Sequence, residues 1–243
     1  MSSSAPARPA LRHQSPHPGV VACVFMALFL AGLIPVTLLV GDTHFPAPSQ
    51  PAQEIAAYFR EHASKIALCA FFQFGAAIPL GIYTASMTSR LRFIGVRAAG
   101  VDIALFGGLA ASFMTLLSAL AQWAAARPAV AMDGSLVQAL YYLLFAAGGP
   151  GYSVPLGLLC AGISVPALMM RLLPRWLAVM GIALGVVGEL SALSLIVPQA
   201  LFLIPLTRFP GFVWLILAGF KLSSVHARSA PHVAEPLGGL GAA

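Results

Sequence analysis

Apolar residues in this chain come in long unbroken runs separated by short polar connections, not in the two-residue or three-and-four spacing of half-buried strands and helices. The runs lie at about 19–41, 66–88, 98–122, 152–170, 176–197 and 200–222. At 1.5 Å per residue, about 20 residues cross the roughly 30 Å of hydrocarbon in a bilayer. The pattern therefore predicts an all-α, six-helix transmembrane bundle over 19–222. The first run is longer than the apolar core of a signal peptide, and no clear small-x-small cleavage site follows it, so it is read as a retained span. Residues 1–18 and 223–243 are poor in apolar side chains, and they are predicted to be disordered tails.

Two stretches depart from simple spans. In PAQEIAAYFREHAS, residues Ile55, Tyr58, Phe59 and His62 share one face against Glu54, Arg60 and Glu61, which predicts a short amphipathic helix over 51–63. It either lies flat on the membrane or caps the bundle. The second stretch, Leu136 to Met170, would run roughly 52 Å as one helix, too long for an ordinary crossing. GGPG at 148–151 must break it, so 136–147 is read as an interfacial half-helix and 152–170 as the fourth span.

Lys and Arg near the span ends orient the bundle. Arg90, Arg92 and Arg97, then Arg171 and Arg175, fall on one side with Arg8, Arg12, Lys221 and Arg228; only Arg60, Lys65 and Arg127 fall on the other. The excess predicts that both termini are cytoplasmic and that the amphipathic helix is extracytoplasmic. The acids Asp42, Glu54, Glu61 and Asp133 then fall outside.

Composition narrows the class. With 59% hydrophobic and 8% charged residues, the chain departs far from the roughly 25% charged content of soluble domains. The net charge of +6 sits on single basic residues between apolar runs, without a patch interleaved with aromatics, so no nucleic-acid partner is expected. Cys23, Cys69 and Cys160 lie inside apolar runs without metal-ligand spacing, and they read as packing residues.

Candidate chemistry centres on the last hairpin. Glu189 and Arg208 each lie nine or ten residues from Pro198–Gln199, about 14 Å down their helices, so they are expected at matching depth as an intramembrane charge pair. That pair either fixes helix register or serves solute or proton passage. Gly181, Gly185 and Gly188 are expected to pack a neighbouring helix beside Glu189. On the third span, Ala104, Gly108, Ala111, Thr115, Ser118 and Gln122 form a small-and-polar stripe. Gln73, Asp102, Thr115, Ser118 and Gln122 are the candidate polar lining, Asp102 being read also as a partner of the 90–97 arginines.

Catalysis is not expected. All six histidines lie outside the spans, and Ser153 in GGPGYSVP lacks both G-x-S-x-G and a base within the spans. There is no P-loop, H-E-x-x-H or cysteine cluster, so neither metal nor cofactor is expected. Prolines and glycines interrupting the first, second, fourth and sixth spans fit small-solute or proton-coupled transport. The alternative is an accessory or scaffold subunit that binds another membrane protein through glycine-rich helix faces.

PRWLAVMG at 174–181 and RFPGFVWLILAGFKL at 208–222, with IAAYFREH at 55–62, resemble an uncharacterised family of bacterial integral membrane proteins, a domain of unknown function. The resemblance implies a six-span protein of the bacterial plasma membrane. It brings no activity or site residue.

Overall fold

Proline and glycine mark out the helices. The computed structural model describes residues 14–38, 45–48 and 50–224. Helix α1 (Pro18–Thr37) opens on Pro18, α2 is Ala52–Glu61, and α3 (Ala63–Phe93) follows almost without a gap. Proline in the first turn gives up no hydrogen bond, because that N–H has no helical partner. Gly95 (φ +92°) closes α3, where Val96 N reaches back to Leu91 O (3.0 Å) and Gly95 N to Arg92 O (3.0 Å).

Helix α4 is Ala99–Ala125 and α5 the single turn Pro128–Ala131. Helix α6 (Gly134–Gly148) is capped by Asp133, whose carboxylate accepts from Ser135 N (2.9 Å) and Leu136 N (3.1 Å). Helices α7 (Pro150–Met169), α8 (Arg175–Leu190) and α9 (Leu203–Ser223) follow, with 3₁₀ turns Ser191–Leu195 and Pro198–Phe202 linking the last two. Six helical stretches among the described residues are long and apolar enough to cross a membrane. This is a multi-pass, all-α membrane protein. The tails before Gln14 and after Ser224, with their arginines and histidines, and Asp42 lie outside the described residues.

The crossings form a ring. Consecutive ones pack together, α1 on α3, α3 on α4, α4 on α6 and α7, α7 on α8, α8 on α9, and α9 closes onto α1. Small residues set these contacts. A Cβ on Gly100 would lie 2.7 Å from Gly162 O, and one on Gly107 2.6 Å from Pro155 O, so α4 and α7 touch backbone to backbone. The predicted α4 stripe is buried throughout, from Ala104 to Gln122.

The fourth crossing is broken at Gly149, as the sequence suggests. Helix α6 packs along the second half of α4, with the Ser118 hydroxyl donating to Leu144 O at 2.8 Å. The break interrupts the hydrogen-bond ladder without reversing direction, since Gly100 and Gly107 meet α7 while Ser118 meets α6.

Helix α2 caps the bundle. Its predicted stripe, Ile55, Tyr58, Phe59 and His62, is buried, with the aromatics packed on Phe45 and Tyr141. Its Arg60 reaches Ala131 O at 3.4 Å. At the opposite end Arg90 donates to Leu222 O (2.8 Å) and Ser223 O (2.6 Å), satisfying carbonyls that end α9.

Candidate functional site

A cavity of about 320 Å³ lies inside the end of the ring covered by α2. That is the lower end of the range for small-molecule sites. Helix α1 gives Phe29, Leu33, Val36 and Thr37 to its wall, and α3 gives Cys69 and Gln73. Helix α4 gives Thr115, Ser118 and Gln122. Opposite stand Tyr141, Leu144 and Phe145 of α6, Tyr152 of α7 and Ile204 and Arg208 of α9. Thr37, in the last turn of α1, is exposed, so the lining extends to the end of the bundle. Phe45 and Pro46 cover this end, where the Tyr141 hydroxyl donates to Pro46 O.

Arg208 is the only cationic side chain in the wall, and no carboxylate lines it among the described residues. One guanidinium nitrogen, Nη2, donates to Gly148 O. That carbonyl is available because of the helix break. Tyr152 N and Ser153 N both turn to Gly149 O, at 3.2 and 3.0 Å, and leave the Gly148 oxygen outside the helical ladder. The guanidinium also sits 5.0 Å from the Tyr152 ring centroid and 5.3 Å from that of Phe29, within cation–π range. Its Nε is buried without a hydrogen-bond partner, and so is the Tyr152 hydroxyl.

Of the candidate polar lining, Gln73, Thr115, Ser118 and Gln122 stand in this wall, and so does Arg208 of the expected charge pair. Two expectations fail. Glu189 lies in the last turn of α8 on its exposed side, with no ion pair to Arg208 within 4.0 Å. Counting residues from the turn fixes depth but not the direction around the helix axis. Gly181, Gly185 and Gly188 decide that direction by turning toward α7, where Cβ atoms would meet Ser164 Oγ at 2.0 Å, Ala161 Cβ at 2.7 Å and Ser153 O at 2.8 Å. Asp102 is the second failure as a lining residue. It is exposed and pairs with Arg92 at 2.5 Å, so its reading as a partner of the arginine loop holds.

Three further features were not read from the sequence. Tyr152, Phe29 and the Gly148 carbonyl complete the surroundings of Arg208, and the one signal pointing to them was GGPG, recognised only as a break. Ser153 is buried, and its hydroxyl has no partner. No family model, curated protein or solved structure matches this chain.

Proposed function

We propose that this chain is a multi-pass protein of a bacterial inner membrane, both termini cytoplasmic, that binds a small solute in the cavity and passes it across. The observation that carries this reading is a cavity walled by one half-buried cation, Arg208, and by Gln73, Thr115, Ser118 and Gln122, extending to exposed Thr37 at the end of α1. A buried charge inside a membrane bundle is costly and is characteristic of substrate paths. The basic residues Arg90, Arg92, Arg97, Arg171 and Arg175 at the opposite end support the orientation.

The proposal is for binding and passage without bond chemistry. Proton coupling through Glu189 is dropped, because that carboxylate is outside the cavity. The scaffold alternative draws no support from α8, whose glycine face is occupied by α7 of the same chain.

Flux of radiolabelled small organic solutes into proteoliposomes tests the reading, together with thiol labelling. Both Cys69 and Cys160 are buried, but of the two only Cys69 lines the cavity. In a Cys23→Ser background, a small methanethiosulfonate should modify Cys69 faster than Cys160 and block the flux. Equal labelling rates with no flux refute the proposal.

A further inference from the structure

We infer that the solute is a small monocarboxylate with an apolar body, its carboxylate held between the Arg208 guanidinium and the Tyr152 hydroxyl. This deepens the reading above and rests on it. Two residues of the cavity wall carry buried donors without acceptors, Arg208 at Nε and Tyr152 at its hydroxyl. Buried donors are normally paired, so an acceptor that enters with the ligand accounts for both. The acceptor should be an anion. The wall carries one positive side chain and no acid among the described residues, which leaves an uncompensated charge in an apolar place.

One guanidinium sets the valence at one. A dianionic phosphate would replace an unpaired cation by an unpaired anion, whereas a carboxylate neutralises it and matches the planar donor fork. The rest of the wall fixes where the head group goes. Thr115 donates its hydroxyl to Ala111 O (2.8 Å) and Ser118 donates to Leu144 O (2.8 Å), so both can offer an anion only lone pairs. Lone pairs repel an oxyanion, which places the carboxylate at the Arg208 end. Phe29, Leu33, Val36, Leu144, Phe145 and Ile204 then surround an apolar body. A volume of about 320 Å³ is at the lower end for a small-molecule site and too small for a whole phospholipid.

The full chain in phosphatidylcholine nanodiscs tests this with phenylacetate, benzoate and hexanoate, each beside its neutral amide, by calorimetry and thermal shift. The acids should bind at least about tenfold more tightly than the amides, as expected for losing a hydrogen bond to a charged group. Tyr152→Phe should weaken acid binding about tenfold and leave amide binding unchanged. Because the Tyr152 hydroxyl has no partner in the empty site, that variant folds even where Arg208→Gln does not. Arg208→Lys should weaken the acids further. Oleate supplied in the nanodisc separates the sources. Tighter binding than the short acids assigns the carboxylate to the bilayer, weaker binding to water, and either result keeps the carboxylate site.

Amides that bind as well as acids, or acid binding untouched by both Tyr152→Phe and Arg208→Lys, overturn the inference and leave the solute-binding reading standing. If neither acids nor amides bind and proteoliposomes show no flux, the functional reading fails and this inference with it.

Discussion

Arg208 on α9 donates to the carbonyl of Gly148, 60 residues earlier at the break between α6 and α7. Two large terms of opposite sign meet there. Removing the donor leaves a part-buried carbonyl without a partner, at up to about 1–3 kcal/mol. Removing the charge relieves a burial cost of about 2.5–3.5 kcal/mol on insertion scales. Arg208→Met should therefore unfold within about 1 kcal/mol of the parent, or later, while losing carboxylate binding. A loss of more than about 2 kcal/mol in detergent unfolding would show that the guanidinium is there for structure alone.

Glu189 has no part in that balance. Glu189→Gln should change stability by no more than about 0.5 kcal/mol, as usual for exposed positions. Arg208→Glu should reduce the yield of folded protein, because it sets a carboxylate against the Gly148 carbonyl. Adding Glu189→Arg should restore nothing. Size-exclusion profiles of the single and double variants decide it, and rescue by the double swap would reinstate the ion pair.

One substitution should have opposite effects at two glycines, Gly162 inside the α4–α7 contact and Gly75 on an open face of α3. A Cβ on Gly162 would lie 2.6 Å from Gly100 O and 2.7 Å from Ala104 N, both rigid backbone atoms. Gly162→Ala should destabilise by about 1–3 kcal/mol, the range for overpacking. Gly75 has nothing within 4 Å of its Cβ position, so Gly75→Ala should stabilise by about 0.5–1 kcal/mol through helix propensity. Melting temperatures of the two variants check both signs.

Tyr58 on α2 predicts an alkaline weakness. Burial, with a smaller contribution from Cys69, pushes its phenol from 10.0 to about 12. A folded-state value above the unfolded one means stability that is full below pH 10 and falls as pH rises toward 12. Tyr58→Phe should flatten the stability profile over that window. At pH 7 it should be near neutral, because the Tyr58 hydroxyl is buried without a partner. Identical profiles for parent and variant would rule out this titration.

Much of the cavity was legible because depth along a helix follows from counting. Gln73 and Arg208 fall at one level below their turns, and Thr115, Ser118 and Gln122 share a stripe by spacing alone. What counting does not give is rotation about the axis. The glycines of α8 and the 3₁₀ turns after it set that angle, and they carry Glu189 outward while Arg208 stays inside.

By itself the sequence determined the solvent of this protein, the six crossings, the amphipathic helix after the first of them and the break at GGPG. These depend on run length, hydropathy and local backbone chemistry, all of which are properties of neighbours in the chain. Only the tertiary structure decided that the partner of Arg208 is a freed carbonyl and two aromatic faces, not an acid. That choice joins α1, α6, α7 and α9 in space, and no spacing rule within a single helix encodes it.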